Sequence, residues 1–189
     1  DRCPWVDAIV LAAAPGWEEP SILLSEELAT TKVVSCVTGG ATRAESVRAA
    51  LGDVPEDALV VLVHDAARPL IEDAVVERVL QPLAEGYDGV VPALPISDTV
   101  KRVEGALVVE TVARAGLFGA QTPQAFLAPL LRRAFAGDLS GVTDCASLVE
   151  RNGGRVAVVE GDRRLLKVTT REDLALVEAL LSETRASRL

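Results

Sequence analysis

The sequence predicts an α/β fold with a doubly wound, mostly parallel sheet. The first observation is an apolar, valine-rich run at residues 60–63, which is typical of a strand buried on both faces of a parallel sheet. The second is the alternation of strand and helix patterns along most of the chain, as in strand–helix–strand units with right-handed crossovers. The length of 189 residues fits a single domain with a sizeable core.

The elements before residue 95 follow this alternation. The predicted strands are residues 5–12, 32–37, 59–64 and 87–94. The predicted helices are residues 21–29, 42–51 and 72–83. Thr42 and Glu45 form a capping-box pattern, which places the start of the second helix at Thr42. The third helix has one apolar face at helical spacing, and Pro82 is expected to end or kink it.

Residues 98–111 interrupt the alternation and predict a protruding β-hairpin arm. Residues 99–103 and 107–111 have the pattern of two short strands, joined at Glu104 and Gly105 by a loop of about three to four residues. An isolated hairpin is marginally stable in water, so we expect this one to pack on something. A partner subunit is one candidate.

The rest of the chain returns to the sheet and then alternates again. The predicted elements are a strand at 116–121, helices at 125–136 and 143–151, short strands at 156–159 and 165–168, and a C-terminal helix at 170–183. Thr143 is the predicted N-cap of its helix, and Thr170 with Asp173 forms a second capping box.

Composition and charge exclude several classes of function. The net charge of −9 argues against nucleic-acid binding, which needs a basic surface. No apolar run reaches the ~18 residues of a membrane span. The three cysteines are far apart and the chain has one histidine, so neither a disulfide framework nor a Cys/His zinc site is credible. We expect free thiols in a reducing, cytoplasmic environment.

A candidate binding loop follows the strand at residues 59–64. Asp65 offers carboxylate oxygens of the kind that a hard cation prefers. Arg68 offers a guanidinium group that could hold a phosphate. The small Ala66 and Ala67 allow a ligand to approach the backbone closely. The alternative is an ordinary polar turn at the end of a strand.

Gly39 and Gly40, followed by a capped helix with Ser46 in its first turns, form a second candidate. The start of a helix leaves backbone N–H groups without partners, and these can contact a ligand. The pattern matches neither of the usual glycine-rich phosphate motifs, and it suits a flat ring such as a base better. The alternative is a plain turn between strand and helix.

Isolated polar side chains complete the candidates. Arg114 lies among small residues after the hairpin, and Thr122 precedes Pro123, which favours an extended backbone and fixes the direction of the hydroxyl. Thr143 is either a helix cap alone or a cap that also meets an anion, and Lys167 lies in a short apolar segment. Each of these residues also has a plain structural interpretation. Arg114 could be a solvated surface arginine, and Thr122 could belong to the entry of a helix. Thr143 could be a cap alone, and Lys167 could face outward.

Cations gathered on an acidic chain point to a phosphorylated, metal-bound substrate. The sequence offers no Ser-His-Asp or Cys-His set. A phosphate monoester, whose second pKa is about 6, is mostly a dianion at neutral pH and can attack without a general base. Catalysis then consists of aligning two anions and neutralising their charge.

Six stretches carry a family resemblance. They are GGATRAESV (39–47), VLVHDAARPLI (61–71), VVPALPISDTVKRV (90–103), TVARAGLFGAQTPQAF (111–126), TDCASLVE (143–150) and LLKVTTREDL (165–174). In this order they resemble the 2-C-methyl-D-erythritol 4-phosphate cytidylyltransferases of the non-mevalonate isoprenoid pathway. The resemblance implies a Rossmann-like nucleotidyltransferase fold that transfers CMP from CTP to methylerythritol phosphate with Mg²⁺, and a homodimer joined through the hairpin at residues 98–111.

The resemblance also implies roles for the candidate residues. Those at the cytosine would be Gly40, Ala41 and Ser46. Those by the ribose and the metal would be Asp65 and Ala66, with Asp65 as metal ligand. Those lining the methylerythritol phosphate site would be Arg68, Thr99, Thr122 and Thr143. The catalytic residues, which place the attacking phosphate, would be Lys167 and, from across the homodimer, Arg114.

One part of the family pattern has no match. The family opens with a strand and a glycine-rich loop whose arginine and lysine hold the triphosphate. Residues 12–16 resemble that loop only superficially, and no basic residue follows before Lys32. Since the chain also lacks methionine, we expect it to be N-terminally incomplete. Two alternatives stay open: a ribitol-phosphate cytidylyltransferase, and a non-catalytic relative that has lost the nucleotide loop.

Overall fold

The structure, a computed structural model, describes residues 1–186, with side chains through residue 182. The strands are β1 (Ile9–Ala13), β2 (Val33–Thr38), β3 (Val60–Val63), β4 (Gly89–Pro95), β5 (Val100–Glu104), β6 (Leu107–Val112), β7 (Phe118–Ala120), β8 (Gln124–Leu127) and β9 (Val156–Glu160). The helices are α1 (Glu18–Glu27), α2 (Arg43–Leu51), α3 (Asp73–Ala84), α4 (Ala128–Phe135), α5 (Cys145–Arg151) and α6 (Arg171–Ala186). Most predicted elements are present, with shifted bounds.

Five strands form the main sheet. β3 pairs with β8, and β8 pairs with β4. β4 also pairs with β7 and with β9. β1 and β2 form a separate parallel pair, and β5 and β6 form the predicted hairpin. The candidate loop after β3 therefore leaves the main sheet beside the start of β8.

The predicted α/β class is confirmed, but the predicted mostly parallel pairing is wrong. β8 is antiparallel to both β3 and β4, β7 is antiparallel to β4, and β9 is parallel to β4. β3, β4 and β9 therefore run in one direction, with β8 reversed between β3 and β4. Residues 125–127, predicted as helix, belong to this strand, because a short apolar run after a proline fits a helix start as well as a strand.

Helices cover both faces of the main sheet. On one face, α2, α4 and α5 pack around the fully buried Phe126 of β8. On the other face, α3 packs through Val79 against Val90 of β4 and Ala125 of β8. Successive residues of a strand face opposite sides, so Ala125 and Phe126 join different halves of the core. The end of β3, where the candidate loop begins, is therefore fixed by packed side chains on both faces of the sheet.

Both capping boxes are present as predicted. Thr42 and Glu45 exchange hydrogen bonds at the start of α2. At the start of α6, hydrogen bonds from Thr169 and Thr170 lower the pKa of Asp173 to about 2.

The thiols are free. Among the described residues, no helix is long and apolar enough to cross a membrane.

Candidate active site

The loop that leaves β3 is held by hydrogen bonds to itself and to Thr122. The Arg68 N–H donates to the Asp65 carbonyl at 2.9 Å, which closes a turn. The Asp65 N–H donates to the Thr122 hydroxyl oxygen at 3.0 Å. Thr122 precedes β8, whose first residue, Gln124, pairs with Val63 at the end of β3. Because β8 runs antiparallel to β3, Thr122, which precedes β8, lies beside the loop that follows β3.

His64, the one histidine of the chain, joins this loop to Thr122. Its Nε2 lies 3.0 Å from the Arg68 carbonyl oxygen, and its Nδ1 lies 3.2 Å from the Thr122 hydroxyl oxygen. A carbonyl only accepts, so Nε2 carries the hydrogen and Nδ1 accepts from Thr122. Burial lowers the pKa of His64, which favours this neutral form at pH 7. The hydroxyl hydrogen of Thr122 is therefore engaged internally, and its substrate contact stays a prediction.

Asp65 holds one cation on each carboxylate oxygen. Arg43 Nε donates to Oδ1 at 2.8 Å, and Lys167 Nζ donates to Oδ2 at 2.9 Å. The Asp65 side chain is 14% exposed and that of Lys167 is 45% exposed. Burial alone would raise the pKa of Asp65, but the hydrogen bonds from Lys167 and Arg43 outweigh burial and hold this pKa below its ordinary value. Asp65 is therefore ionised at neutral pH.

Arg68 and Lys167 lie on two segments that contact each other. The Arg68 guanidinium donates to the carbonyl of Leu165, which is fully buried and anchors the second segment. The Val168 N–H donates to the Ala67 carbonyl at 2.8 Å. The strand predicted around Leu165 is wrong, because this segment bonds to the loop after β3 and not to a sheet. Both cations are nevertheless placed beside the end of β3.

The turn before α2 is closed by the Ser46 hydroxyl. This group accepts from the Gly40 N–H at 3.1 Å and donates to the Thr42 carbonyl at 3.0 Å. A β-carbon on Gly40 would lie 2.3 Å from the β-carbon of Glu45, so this position requires glycine. Gly40 and Ala41 are exposed. Ser46 supports the turn, and Gly40 and Ala41 lie exposed where a ligand can reach them.

The helix predicted to be capped by Thr143 has Asp144 as its N-cap. Asp144 Oδ1 accepts from the Ser147 N–H at 2.9 Å, and Asp144 Oδ2 accepts from the buried Gln124 amide at 3.1 Å. A carboxylate at this position also interacts favourably with the helix dipole. Thr143 is exposed and is not needed as a cap. Its contact with a phosphate stays a prediction.

Thr99 and Arg114 flank the hairpin of β5 and β6. Both strands are exposed along nearly their whole length. The connecting turn has residues 105 and 106 only, which is shorter than predicted, because Gly105 adopts a positive φ of 59° that permits a tight turn. Arg114 is exposed, and its guanidinium donates to the Ser97 carbonyl. Substrate contacts of Thr99 and Arg114 stay predictions.

The structure thus brings together part of the predicted set. The predicted residues that meet around the loop after β3 are Asp65, Ala66, Arg68, Thr122 and Lys167. Arg43 and His64 are missed by the sequence reasoning. Arg43 lies three residues before Ser46 and so on the same side of α2, a spacing that could have singled it out. His64 is adjacent to Asp65, but its inward direction has no signal in the sequence.

The site offers a metal ion one carboxylate, and both of its oxygens already contact cations. Among the described residues, no group of three or more His, Cys, Asp or Glu side chains could hold a metal ion. Mg²⁺ often binds one or two carboxylates together with substrate phosphates and water. Each carboxylate oxygen has two lone pairs, so a metal ion at Asp65 would share an oxygen with Arg43 or Lys167 and would take its other ligands from a phosphorylated substrate and water.

Comparison with known proteins identifies the family. The family model described as 2-C-methyl-D-erythritol 4-phosphate cytidylyltransferase matches residues 2–183. The chain belongs to this family. The cytidylyltransferase of Saccharopolyspora erythraea is 47% identical over an alignment of 178 residues, and the match covers 92% of this chain and 79% of that relative. That of Rubrobacter xylanophilus is 43% identical over an alignment of 184 residues, and the match covers 93% of this chain and 79% of that relative.

Solved structures of the cytidylyltransferase family have the same fold. A crystal structure of 4-diphosphocytidyl-2C-methyl-D-erythritol synthase matches with a TM-score of 0.83 and 38% identity, over 95% of this chain and 85% of the other. The 2-C-methyl-D-erythritol 4-phosphate cytidylyltransferase of Thermus thermophilus matches with a TM-score of 0.76 and 36% identity, over 92% of this chain and 81% of the other. The resemblance predicted from the sequence motifs is confirmed.

Proposed function

We propose that this chain transfers CMP from CTP to 2-C-methyl-D-erythritol 4-phosphate, which releases pyrophosphate and forms 4-diphosphocytidyl-2-C-methyl-D-erythritol for isoprenoid biosynthesis. Family membership supports this activity. The structural observation that carries the proposal is the meeting of Arg68 and Lys167 around Asp65 at the end of β3. Two cations at one site on a chain of net charge −9 suit an anionic substrate.

The reaction needs positioning and charge neutralisation, and no general base. An oxygen of the acceptor phosphate attacks the α-phosphorus of CTP, and the bond from that phosphorus to the oxygen bridging to the β-phosphate breaks. The acceptor is already a dianion at neutral pH, so no proton has to be removed. Lys167 and Arg114 place the attacking phosphate, while Arg68, Thr99, Thr122 and Thr143 line its site. His64 is neutral and hydrogen-bonded on both nitrogens, so it holds the loop.

Asp65 would hold Mg²⁺ together with the phosphates of CTP, and Ala66 would lie by the ribose. The ion supplies charge neutralisation for the phosphates when it is bound. The ionised state of Asp65 at neutral pH supports this assignment. The protein's own part is to keep Asp65 oriented through Arg43 and the Thr122 hydroxyl.

The hairpin is the proposed homodimer contact. Its exposed apolar side chains are Val103, Leu107, Val108 and Val109. A two-stranded hairpin with such a surface is stabilised by packing against another surface, and a second copy of the chain provides one. Arg114 at the base of this arm would then reach the site of the partner. We place the enzyme in the cytoplasm, where its free thiols stay reduced.

Gly40→Ala is expected to raise the KM for CTP by about tenfold, because the new methyl group displaces Glu45 and deforms the turn proposed to hold the cytosine. The KM for methylerythritol phosphate is expected to stay nearly unchanged. Steady-state kinetics with each substrate varied in turn measure both constants. Gly137→Ala is the control, since its nearest contact would be the Ala134 carbonyl oxygen at an ordinary 3.6 Å. An unchanged KM for CTP in a folded Gly40→Ala protein would contradict the assignment.

The acceptor is tested by measuring pyrophosphate release from CTP with methylerythritol phosphate and, separately, with ribitol phosphate. We expect kcat/KM to be at least about 100-fold higher for methylerythritol phosphate, the discrimination that a site built to hydrogen-bond substrate hydroxyls can reach. A preference for ribitol phosphate would favour that related activity. CTP binding without turnover of either acceptor would favour the non-catalytic alternative.

A further inference from the structure

Arg43 contacts two other segments of the site, yet the proposed function gives it no direct task in catalysis. It is the first residue of α2, and its side chain is 32% exposed. Its Nε donates to Asp65 Oδ1 at 2.8 Å, and its Nη1 lies 3.5 Å from the Cys145 sulfur. Arg43 therefore connects the start of α2, the loop after β3 and the start of α5.

The contact with Cys145 orients the guanidinium group without neutralising it. Cys145 is 1% exposed, and burial raises the pKa of its thiol. The thiol is therefore uncharged at neutral pH, and its sulfur is a weak acceptor. The positive charge of Arg43 remains directed at Asp65, which is the ionised partner that Arg43 contacts.

The charges of the cluster show what Arg43 adds. Arg43 and Lys167 are cations and Asp65 is an anion, so the three groups together carry one net positive charge. Without Arg43, Asp65 and Lys167 would form a neutral pair. Lys167 would then be the cation that donates to the half-buried carboxylate, and its ammonium group would be less able to attract a phosphate.

We propose that Arg43 is a positioning residue that occupies one oxygen of Asp65 and so keeps Lys167 available to the acceptor phosphate. This rests on the proposed function, in which Lys167 places that phosphate. Arg43 does not hold the cytosine turn, because that turn is closed by Ser46 and by the capping box of Thr42 and Glu45. Arg43 therefore acts through Asp65 and Lys167, and not through the cytosine turn.

The first test compares Arg43→Gln with Arg48→Gln, a control on the same helix that removes the same charge from an exposed position. Arg43→Gln is expected to raise the KM for methylerythritol phosphate about tenfold and to lower kcat about tenfold, with the KM for CTP changed less than about twofold. Arg43→Lys keeps the charge and is expected to recover most of the acceptor KM. Equal changes in both KM values, or no recovery with lysine, would overturn the proposal.

The second test asks whether Arg43 acts through Lys167. In a Lys167→Gln background, Arg43→Gln is expected to lower the remaining kcat/KM less than about twofold, because the group it supports is already absent. Multiplicative losses in the double variant would show that Arg43 acts independently of Lys167, and the proposal would fail.

A stability measurement separates this proposal from the proposed function. In urea unfolding, Arg43→Gln and Lys167→Gln together are expected to lower the midpoint by more than the sum of the single shifts, since the Asp65 carboxylate then loses both of its hydrogen-bonded cations. The excess is expected to vanish in an Asp65→Asn background. If the chain turned over no acceptor while this excess persisted, the proposed activity would be wrong, but Arg43 and Lys167 would still be shown to share the Asp65 carboxylate. If the shifts were strictly additive, this sharing would be rejected.

Discussion

Lys167→Ala is expected to lower kcat for CMP transfer by about 100-fold or more, with the KM for CTP changed less than about threefold. The Lys167 ammonium is the solvent-facing cation on Asp65, and its loss removes positive charge where the acceptor phosphate is proposed to lie. Steady-state kinetics with each substrate varied in turn separate the two effects. A rise in the KM for CTP as large as the fall in kcat would show that Lys167 does not act on the acceptor.

Lys32→Ala is the matched control for Lys167→Ala. The Lys32 ammonium donates to the Cys3 carbonyl at 2.7 Å near the start of the chain, and it has no ion pair with Asp65. The substitution removes the same group from a position outside the proposed site. Activity is expected to stay within about twofold of wild type, because the Lys32 ammonium contacts the Cys3 carbonyl and not the proposed site.

Arg114→Ala is expected to lower kcat about 100-fold while CTP binding is nearly unchanged, because Arg114 is proposed to place the attacking phosphate and not the nucleotide. Arg114 lies exposed at the base of the hairpin. Turnover and CTP affinity, the latter from calorimetry, are measured on the same preparation. Loss of CTP binding in parallel with turnover would exclude the acceptor role.

Mixing two variants that are each expected to be nearly inactive tests whether Arg114 acts across the proposed homodimer. In a mixed dimer of Arg114→Ala and Lys167→Ala subunits, one site retains its own Lys167 and receives an intact Arg114 from the partner, whereas the other site lacks both. After random exchange about half of the dimers are mixed, so about a quarter of wild-type activity is expected. If Arg114 acted within its own chain, mixing would restore nothing. Exchange is verified with a size tag on one variant.

The fold was predictable from the sequence wherever one local signal was unambiguous. The capping box at Thr42 marked the start of α2, and the run at residues 60–63 marked β3. The reversed strand β8 was not predictable, because its four residues carry no direction and fit a helix start equally well. The direction of β8 depends on its pairing with β3 and β4 and on the helices that pack against Ala125 and Phe126. These contacts join residues that are distant in the sequence.

The site was predictable as a set of charges but not as a set of contacts. Asp65, Arg68 and Lys167 stand out by residue type at the ends of short apolar segments. Their pairing was not foreseeable, since Arg43 lies 22 residues and Lys167 lies 102 residues from Asp65. The direction of the Thr122 hydroxyl was not foreseeable either. This hydroxyl donates to His64 Nδ1, which can accept because His64 carries its hydrogen on Nε2, beside the Arg68 carbonyl.

The antiparallel register of β8 couples catalysis to correct assembly of the sheet. A slip of one residue would exchange the apolar groups that β8 gives to each side of the protein, and it would withdraw Thr122 from the Asp65 amide. A misaligned chain would thus lose its core packing and the geometry of the proposed site together. Specific activity is therefore a sensitive quality measure for refolded or redesigned versions of this enzyme.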